Sequence, residues 1–514
     1  MFQLPLRLMQ APTELSENAS SVTLTLPTIT YKARHLVIIV DGITNTGGQT
    51  RMAMRFNGDS GSNYGEEVFR ADGASASAAQ RNAQTSMRVG ELTSTTNVHG
   101  GAYILIPHYK GTDGHKSFVS LSGSGEEALD ACGGRWANTA AITSVTLLME
   151  SNNFAATSRF LLCTVDERYL IEEEILASDG TFTFDKLTTL KGDLCGVGYL
   201  RSDRSGGAQD GIQLTINGNT TNSSYSRQVI AGTAGSTGVG GATDRRMGGD
   251  GAIPDTSTTA GAFSATCFTT YHPQDDVDHA HTIYISSFHS ASTSNAGIDI
   301  GGSQLNVDDA YTSMLFNPQN GTNFKEDSMM SLYLVPKPRL IRVAGAGATH
   351  TFDSVDIPSS GIQSLQGSIY GQNDSGATRD IQWNFNNDTT ASNYNVQSMK
   401  GTTSTLTAAQ SAGDDVMIPE GFPDDGEGEI FGGGSFFIAQ PLQTDRHKHW
   451  LSIGGYNGSA RTVSIASGRW ENTGAITEID ILSHTGNIGA RSISELSALD
   501  TEDVTDRSRN TKSI

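Results

Sequence analysis

Apolar and polar residues alternate along much of the chain with a period of two. IQLTING (residues 212–218) and IQWNFNND (381–388) place apolar side chains at every second position and stop at Asn-Gly or Asn-Asn. That pattern predicts strands with one buried face, each closed by a tight turn. ITSVTLLM (142–149) mixes β-branched and apolar residues with Thr and Ser, again a strand pattern. LVIIV (36–40) is apolar throughout, as expected of a strand lying between layers. No long amphipathic helix is visible, and LIEEEIL (170–176) is the best short helical segment.

The chain also repeats itself. GRWANTAAIT (134–143) returns as GRWENTGAIT (468–477), with 468 − 134 = 334 positions between them. A third, more divergent match lies between, YTSMLFNPQNGTNFKEDSMMSLYL (311–334). Thr143, Thr312 and Thr477 then align, as do Asn153, Asn323 and Asn487, and Ser158, Ser328 and Ser492. A second anchor is RFNGDSGSNY (55–64), TINGNTTNSSY (215–225) and NFNNDTTASNY (384–394). In each, an apolar residue precedes Asn, and a Tyr follows. A third anchor is GHKSFVSL (114–121), DHAHTIYI (278–285) and RHKHWLSI (446–453). The anchors keep one order and a spacing near 165 residues, since 312 − 143 = 169 and 477 − 312 = 165.

Repetition at this period means tandem structural units. The reading is an all-β chain of three homologous β-sandwich domains, jelly-roll-like, over 1–166, 167–337 and 338–498, with a polar tail over 499–514. Each unit is long enough to bury about 70% of its unfolded surface. Pro336 and Pro338 are expected to stiffen the exit from the second copy.

Composition agrees with a turn-rich β protein. Gly is 58 of 514 residues and charged residues are only 17%. The net charge of −21 argues against a nucleic-acid surface, which needs clustered Lys and Arg, and against an anionic membrane. No segment approaches the ~20 apolar residues of a membrane helix. Cys132, Cys163, Cys195 and Cys267 form no CxxC pair, so they read as free thiols. The N-terminal segment lacks a signal-peptide pattern, and synthesis in a cytoplasm is expected.

GRWANTAAITSVTLLMESNNFAATSRFLL resembles the C-terminal strand pair of small β-rich virion proteins of tailed bacteriophages. There a G-x-W-x-N-T-x-A-I-T segment leads into a strand, followed by a loop with N-F and a Ser. Lys116, Ser117 and Phe118 match the family's Lys-Ser-aromatic step. The second copy lacks the Gly-Arg-Trp box. The resemblance implies a structural component of a phage particle, of the head decoration, neck or tail-associated kind.

Arg135, Trp136, Arg469 and Trp470 are the sharpest repeated side chains, and are interface candidates. A Trp there serves as an interface hot spot or a sugar-stacking platform, or as a core residue at the start of a strand with its indole N–H on backbone. The histidines at 108 and 115, at 279 and 281, and at 447 and 449 read as solvated loop residues, since no carboxylate recurs beside them. PDDGEGE (423–429) offers Asp424, Asp425, Glu427 and Glu429 as a calcium candidate without an EF-hand spacing. No catalytic motif stands out: LSGSGEE (121–127) is not a G-x-S-x-G elbow.

These readings predict a non-enzymatic virion protein, without a cofactor, that binds other capsid or neck/tail proteins. Three fused copies are expected to imitate a homotrimer about a pseudo-threefold axis. The alternative is a tail-associated receptor- or carbohydrate-binding adhesin.

Overall fold

The computed structural model describes residues 3–500 apart from 30–31, 126–127, 189, 191, 234, 248–251, 275–278, 291–295, 307–308, 336–340, 358, 429 and 459–460. The fold is all-β, built from antiparallel sheets, with 3-10 turns as its helical elements among the described residues.

Three large sheets carry the same strand order. The first runs Leu6–Leu8, Arg159–Val165, Leu36–Gly42, Gly100–Ile106, Lys116–Gly123, Leu129–Trp136, Tyr64–Asp72, Ser75–Gln84. The second runs Leu170–Ile175, Met329–Leu334, Leu194–Tyr199, Ala265–Tyr271, His281–His289, Ala296–Leu305, Tyr225–Thr233, Ser236–Ala242. The third runs Ile341–Ala344, Ile493–Asp500, Ile362–Gly371, Gly432–Ala439, Lys448–Tyr456, Thr462–Trp470, Tyr394–Thr402, Thr405–Ala412. Against one face of each lies a smaller sheet of three or four strands. The short strand Thr13–Glu14 also pairs Arg159–Val165 in the first large sheet, so the resulting sandwiches are unequal, eight or nine strands facing three or four.

Each large sheet is buried on both faces, and its strands show why. In Leu36–Gly42, Leu36, Ile38 and Val40 pack toward the small sheet of the first copy. Val37 and Ile39 point the other way, into a cluster shared with residues of all three large sheets, including Val197, Ile283 and Leu451. The alternation of a strand sends successive side chains to opposite faces, so a continuous apolar run feeds two cores at once. The described residues thus form three peripheral cores, one central core and a small cluster of Tyr199, Phe263 and Met329, and the three large sheets close around the central core like the walls of a triangular prism.

The Asn–Tyr anchor and the aligned threonines prove to be one hydrogen-bonded unit. Asn57 sits at φ 52, just past a small-sheet strand. Its Oδ1 accepts from the Thr143 N–H at 2.7 Å and the Thr143 hydroxyl at 3.1 Å, while its Nδ2 donates to the Ala141 carbonyl at 2.8 Å. Asn217 repeats these bonds with Thr312 and Ala310, and Asn386 with Thr477 and Ala475. Beside each, a Tyr hydroxyl accepts from the strand's last N–H and donates to the turn. Tyr64 takes Phe56 and Asp59, Tyr225 takes Ile216 and Asn219, and Tyr394 takes Phe385 and Asp388.

Two local readings are corrected. LIEEEIL is not helical: Leu170–Ile175 is an edge strand pairing Met329–Leu334, preceded by the 3-10 turn Glu167–Tyr169. Its acidic centre is half-buried, with Glu173 held by Arg34 at 3.0 Å, and its exposed residue is the apolar end Ile175. The Gly-Arg-Trp box does not open a strand but closes one, at the ends of Leu129–Trp136 and Thr462–Trp470. The Asn-Thr residues after it carry the chain across to the small sheet. Pro336, Pro338 and tail residues 501–514 lie outside the described residues.

Candidate functional site: the joints between the three sheets

The strand register makes positions in the three copies comparable. Thr44, Ser202 and Asn373 bridge Phe154, Phe324 and Ile488 in turn. Three residues earlier, Asp41, Tyr199 and Tyr370 therefore occupy one structural position. Lys116 and Lys448 likewise pair with Trp136 and Trp470, so Gly114 and Arg446, two residues earlier, correspond.

At the joint of the first and second copies, the Tyr199 hydroxyl donates to the His115 carbonyl at 2.6 Å. The Tyr199 ring stacks on Phe263 of its own copy at 4.3 Å and lies 5.4 Å from His108 of the first copy. At the joint of the second and third, the Tyr370 hydroxyl donates to the His279 carbonyl at 2.8 Å. Its ring stacks on Phe431 at 4.9 Å and on His272 of the second copy at 4.5 Å. His108 and His272 both hold left-handed backbone, at φ 49 and 52, as does Gln440 at φ 47 in the third copy.

The third joint, between the last copy and the first, has the same layout with different chemistry. Asp41 replaces the Tyr, His99 the stacked Phe and Gln440 the His. Asp41 accepts from Arg446 at 2.5 Å and lies 3.3 Å from His99. Arg159 of the first copy donates to Gln440. Asp41 and Arg446 are buried, at 2% and 1% exposure. Burial pushes the Asp41 carboxyl up, but facing His99 and Arg446 outweigh it and hold it down at about 2. The swap is sterically coupled: a Cβ built on Gly114 would stand 2.3 Å from the Tyr199 hydroxyl. An arginine fits only where the opposing side chain is short.

The sequence candidates fall as follows. Trp136 and Trp470 are 1% exposed and sit in the peripheral cores of their copies. Their indole N–H groups donate not to backbone but to Asp59 at 2.7 Å and Asp388 at 2.8 Å. Arg135 and Arg469 are also buried, at 4% and 6%, and face other copies of the same chain. Arg135 Nη1 approaches His115 Nδ1 at 3.4 Å beside the first joint. Arg469 pairs with Glu471, and its Cβ faces Gly125 of the first copy.

The reading of the histidines as solvated is corrected for several of them. His281 and His449 are buried in strands, and burial drives the first down to about 3 and the second to about 4. His108 and His115 are joint residues. The sequence missed His108 and His115 because they meet Tyr199 and Gly261 of the second copy. The aspartates of DDVDHAH (275–278) lie outside the described residues, as do Glu429 and the Glu427 side chain. Asp424 is half-buried and Asp425 exposed, with the Asp425 N–H donating to Asn373. Among the described residues no group of three His, Cys, Asp or Glu is placed to hold a metal. All four cysteines are buried and unpaired.

A further set of joints lies where the hairpins 64–84, 225–242 and 394–412 meet. Gly232 is packed against Phe69 and Ala78, and Gly401 against Ile230 and Val239. Glu67, Gln228 and Gln397 are equivalent here. Glu67 accepts from the Gly235 N–H at 3.3 Å, and Gln397 donates to the Gly73 carbonyl at 2.9 Å. Burial pushes the Glu67 carboxyl up to about 7, with the Gly235 N–H opposing and Glu66 adding to the shift.

A cavity of about 410 Å³ opens beside the first joint, lined by Lys32, Arg34, His108, Lys110, Asp113 and Ile175 among others. Arg34 is engaged by Glu173 at 3.0 Å and His108 by Asp113 at 3.5 Å, so much of its charge is already spent.

No known protein family matches the chain, and no curated protein does. Solved structures give only faint likenesses. A galectin of Caenorhabditis elegans aligns at 8% identity and TM-score 0.16, over 30% of this chain and 95% of its own. Two domains of the mouse laminin alpha1 chain align at 10% and 0.14, over 63% and 89%. Pseudomonas aeruginosa OccK3 aligns at 7% and 0.10, over 88% and 96%. Scores this low carry no argument about fold or function.

Proposed function

We propose that the chain is a non-enzymatic structural protein of a bacteriophage particle, decorating the head or the neck and tail surface through protein–protein contacts. The observation that supports this reading is the closed ring of three equivalent units around one core. Head-to-tail contacts that close after three steps give a rigid body with three similar outer faces. Such a body suits a threefold or pseudo-threefold position on a shell, where each copy meets a non-equivalent neighbour. Fusion in one chain raises the effective concentration of each unit for the next. Several buried charged groups are engaged in structural pairs, such as Arg88 with Asp130 at 2.7 Å and Arg446 with Asp41 at 2.5 Å.

The adhesin alternative requires exposed aromatic rings to stack on sugars. All four Trp are buried, and the exposed large apolar side chains among the described residues are Ile175 and Val355. That distribution favours the structural reading. The test is mass spectrometry and imaging of purified particles with and without the protein. Stoichiometric presence, with density at a fixed site, supports the proposal. Absence from purified virions, or binding to host glycans without binding to particles, overturns it.

A further inference from the structure

The two ends of the prism differ. At one end the outermost strands of the three large sheets are Leu6–Leu8, Leu170–Ile175 and Ile341–Ala344. The second of these carries three acids, Glu172 paired with Lys186 at 3.3 Å, Glu173 with Arg34 at 3.0 Å, and Glu174, and a carboxylate on an open strand edge disfavours pairing. At the other end the outermost strands are Ser75–Gln84, Ser236–Ala242 and Thr405–Ala412. Each pairs along one edge only, with Tyr64–Asp72, Tyr225–Thr233 and Tyr394–Thr402 respectively. Among the described residues no strand pairs their outer edges.

These three edges carry almost none of the usual protection. Their sequences, SASAAQRNAQ, STGVGGA and TLTAAQSA, hold no Pro, Lys, Asp or Glu. The one charge, Arg81, is engaged by Glu66 and Glu150. In a chain with 55 acidic residues this is a marked neutral zone. The central core also runs out here. Ala76, Ala78, Val239, Leu406 and Ala408 pack on it but stay partly exposed. The end therefore presents an aliphatic centre inside a polar rim of strand edges that no described strand pairs, the anatomy of a protein interface.

The geometry points to a second copy of this chain as the occupant, docked end to end about a twofold axis perpendicular to the prism. A partner must offer three strand edges in a triangle of the same size, and another copy of this end does so. The contact is then isologous, so the patch must tolerate itself. It does, because it is neutral where the rest of the molecule, at −21, repels its like. Antiparallel pairing across the contact supplies backbone partners to all three edges. This inference does not rest on the virion proposal, and its failure would leave that proposal standing.

The test is sedimentation equilibrium of the full chain over a series reaching several hundred micromolar, with amide exchange read at both ends of the series. The expected mass rises from 54.4 kDa to twice that value, and exchange slows in 75–84, 236–242 and 405–412. The triple variant Ala79→Lys, Thr237→Lys, Ala409→Lys changes only exposed positions. It is expected to stay monomeric with an unchanged dilute melting temperature. A wild-type chain that stays monomeric throughout overturns the inference, even if another virion protein is found to cover this end. A dimer that the lysines leave intact, or protection that rises elsewhere, also overturns it.

Discussion

Asp41 and Arg446 form a buried ion pair across 405 positions of sequence, at the place where the other two joints hold a tyrosine against a backbone carbonyl. The first and third copies are the pair not joined by adjacent sequence, so this contact closes the ring. Copies of similar sequence risk pairing in the wrong order, and a joint of different chemistry excludes some of those pairings. Tyr199 set against an arginine collides, and Asp41 set against Gly114 is left buried without its cation.

Asp41→Ala removes the first copy's carboxylate from Arg446, which keeps Asp445 at 2.8 Å and the Thr157 carbonyl at 3.2 Å. The expected cost is about 3 kcal/mol, the low end of the range for breaking one side of a buried pair, read as a loss of urea stability. The pH dependence follows from the depressed carboxyl. Its folded value, about 2, lies below the unfolded 3.8. Its contribution is therefore complete above about pH 4 and is lost as pH falls through that window. Wild type and Asp41→Asn should converge in stability near pH 2 and separate above pH 4.

Glu67→Gln is expected to stabilise the protein above neutrality. Here the folded value, about 7, lies above the unfolded 4.5. The folded state holds the proton more tightly, so stability falls as pH rises from about 4.5 to about 7 and is level beyond. The second and third copies already place Gln228 and Gln397 at this position. Urea titrations at pH 5 and pH 8 should show a gap in wild type that narrows in the variant.

Gly114→Ala places a methyl 2.3 Å from the Tyr199 hydroxyl and 2.7 Å from Phe263. Both rings are buried, so the expected cost is about 1–3 kcal/mol. Tyr199→Phe should recover part of it, which a double-mutant cycle reads as coupling between copies.

Asn217→Ala tests the equivalence of the divergent middle copy. It leaves the Thr312 and Ser313 N–H groups without the Asn217 oxygen. A cost of about 0.5–1.5 kcal/mol is expected, since these N–H groups are open to water, and it should be similar to that of Asn57→Ala and Asn386→Ala. A neutral middle variant beside two costly outer ones would show that the middle unit has lost the staple.

Much of each copy was legible in the sequence because its contacts are internal. Asn57, Tyr64 and Thr143 stand far apart but serve one staple, so all three were kept in every copy. The all-β class followed from period-two runs such as IQWNF. LIEEEIL misled because two apolar ends around three acids fit a helical turn as well as a charged edge strand. The joints were hidden for a different reason. Tyr199 and Tyr370 share a position with Asp41, which has no chemistry in common with them, and the contact that sets them apart is made with a residue of another copy. Burial of His449 was hidden because its ring lies against Gly101 of the first copy as well as Ser467 of its own.

The central claim is that three copies close into one ring around a shared core. Small-angle scattering of the dilute chain tests it most directly. A closed body of 514 residues is predicted to show a radius of gyration of about 24 Å from compact-chain scaling, with a single-peaked distance distribution. A markedly larger radius, with separate maxima from three beads on a string, would contradict the account.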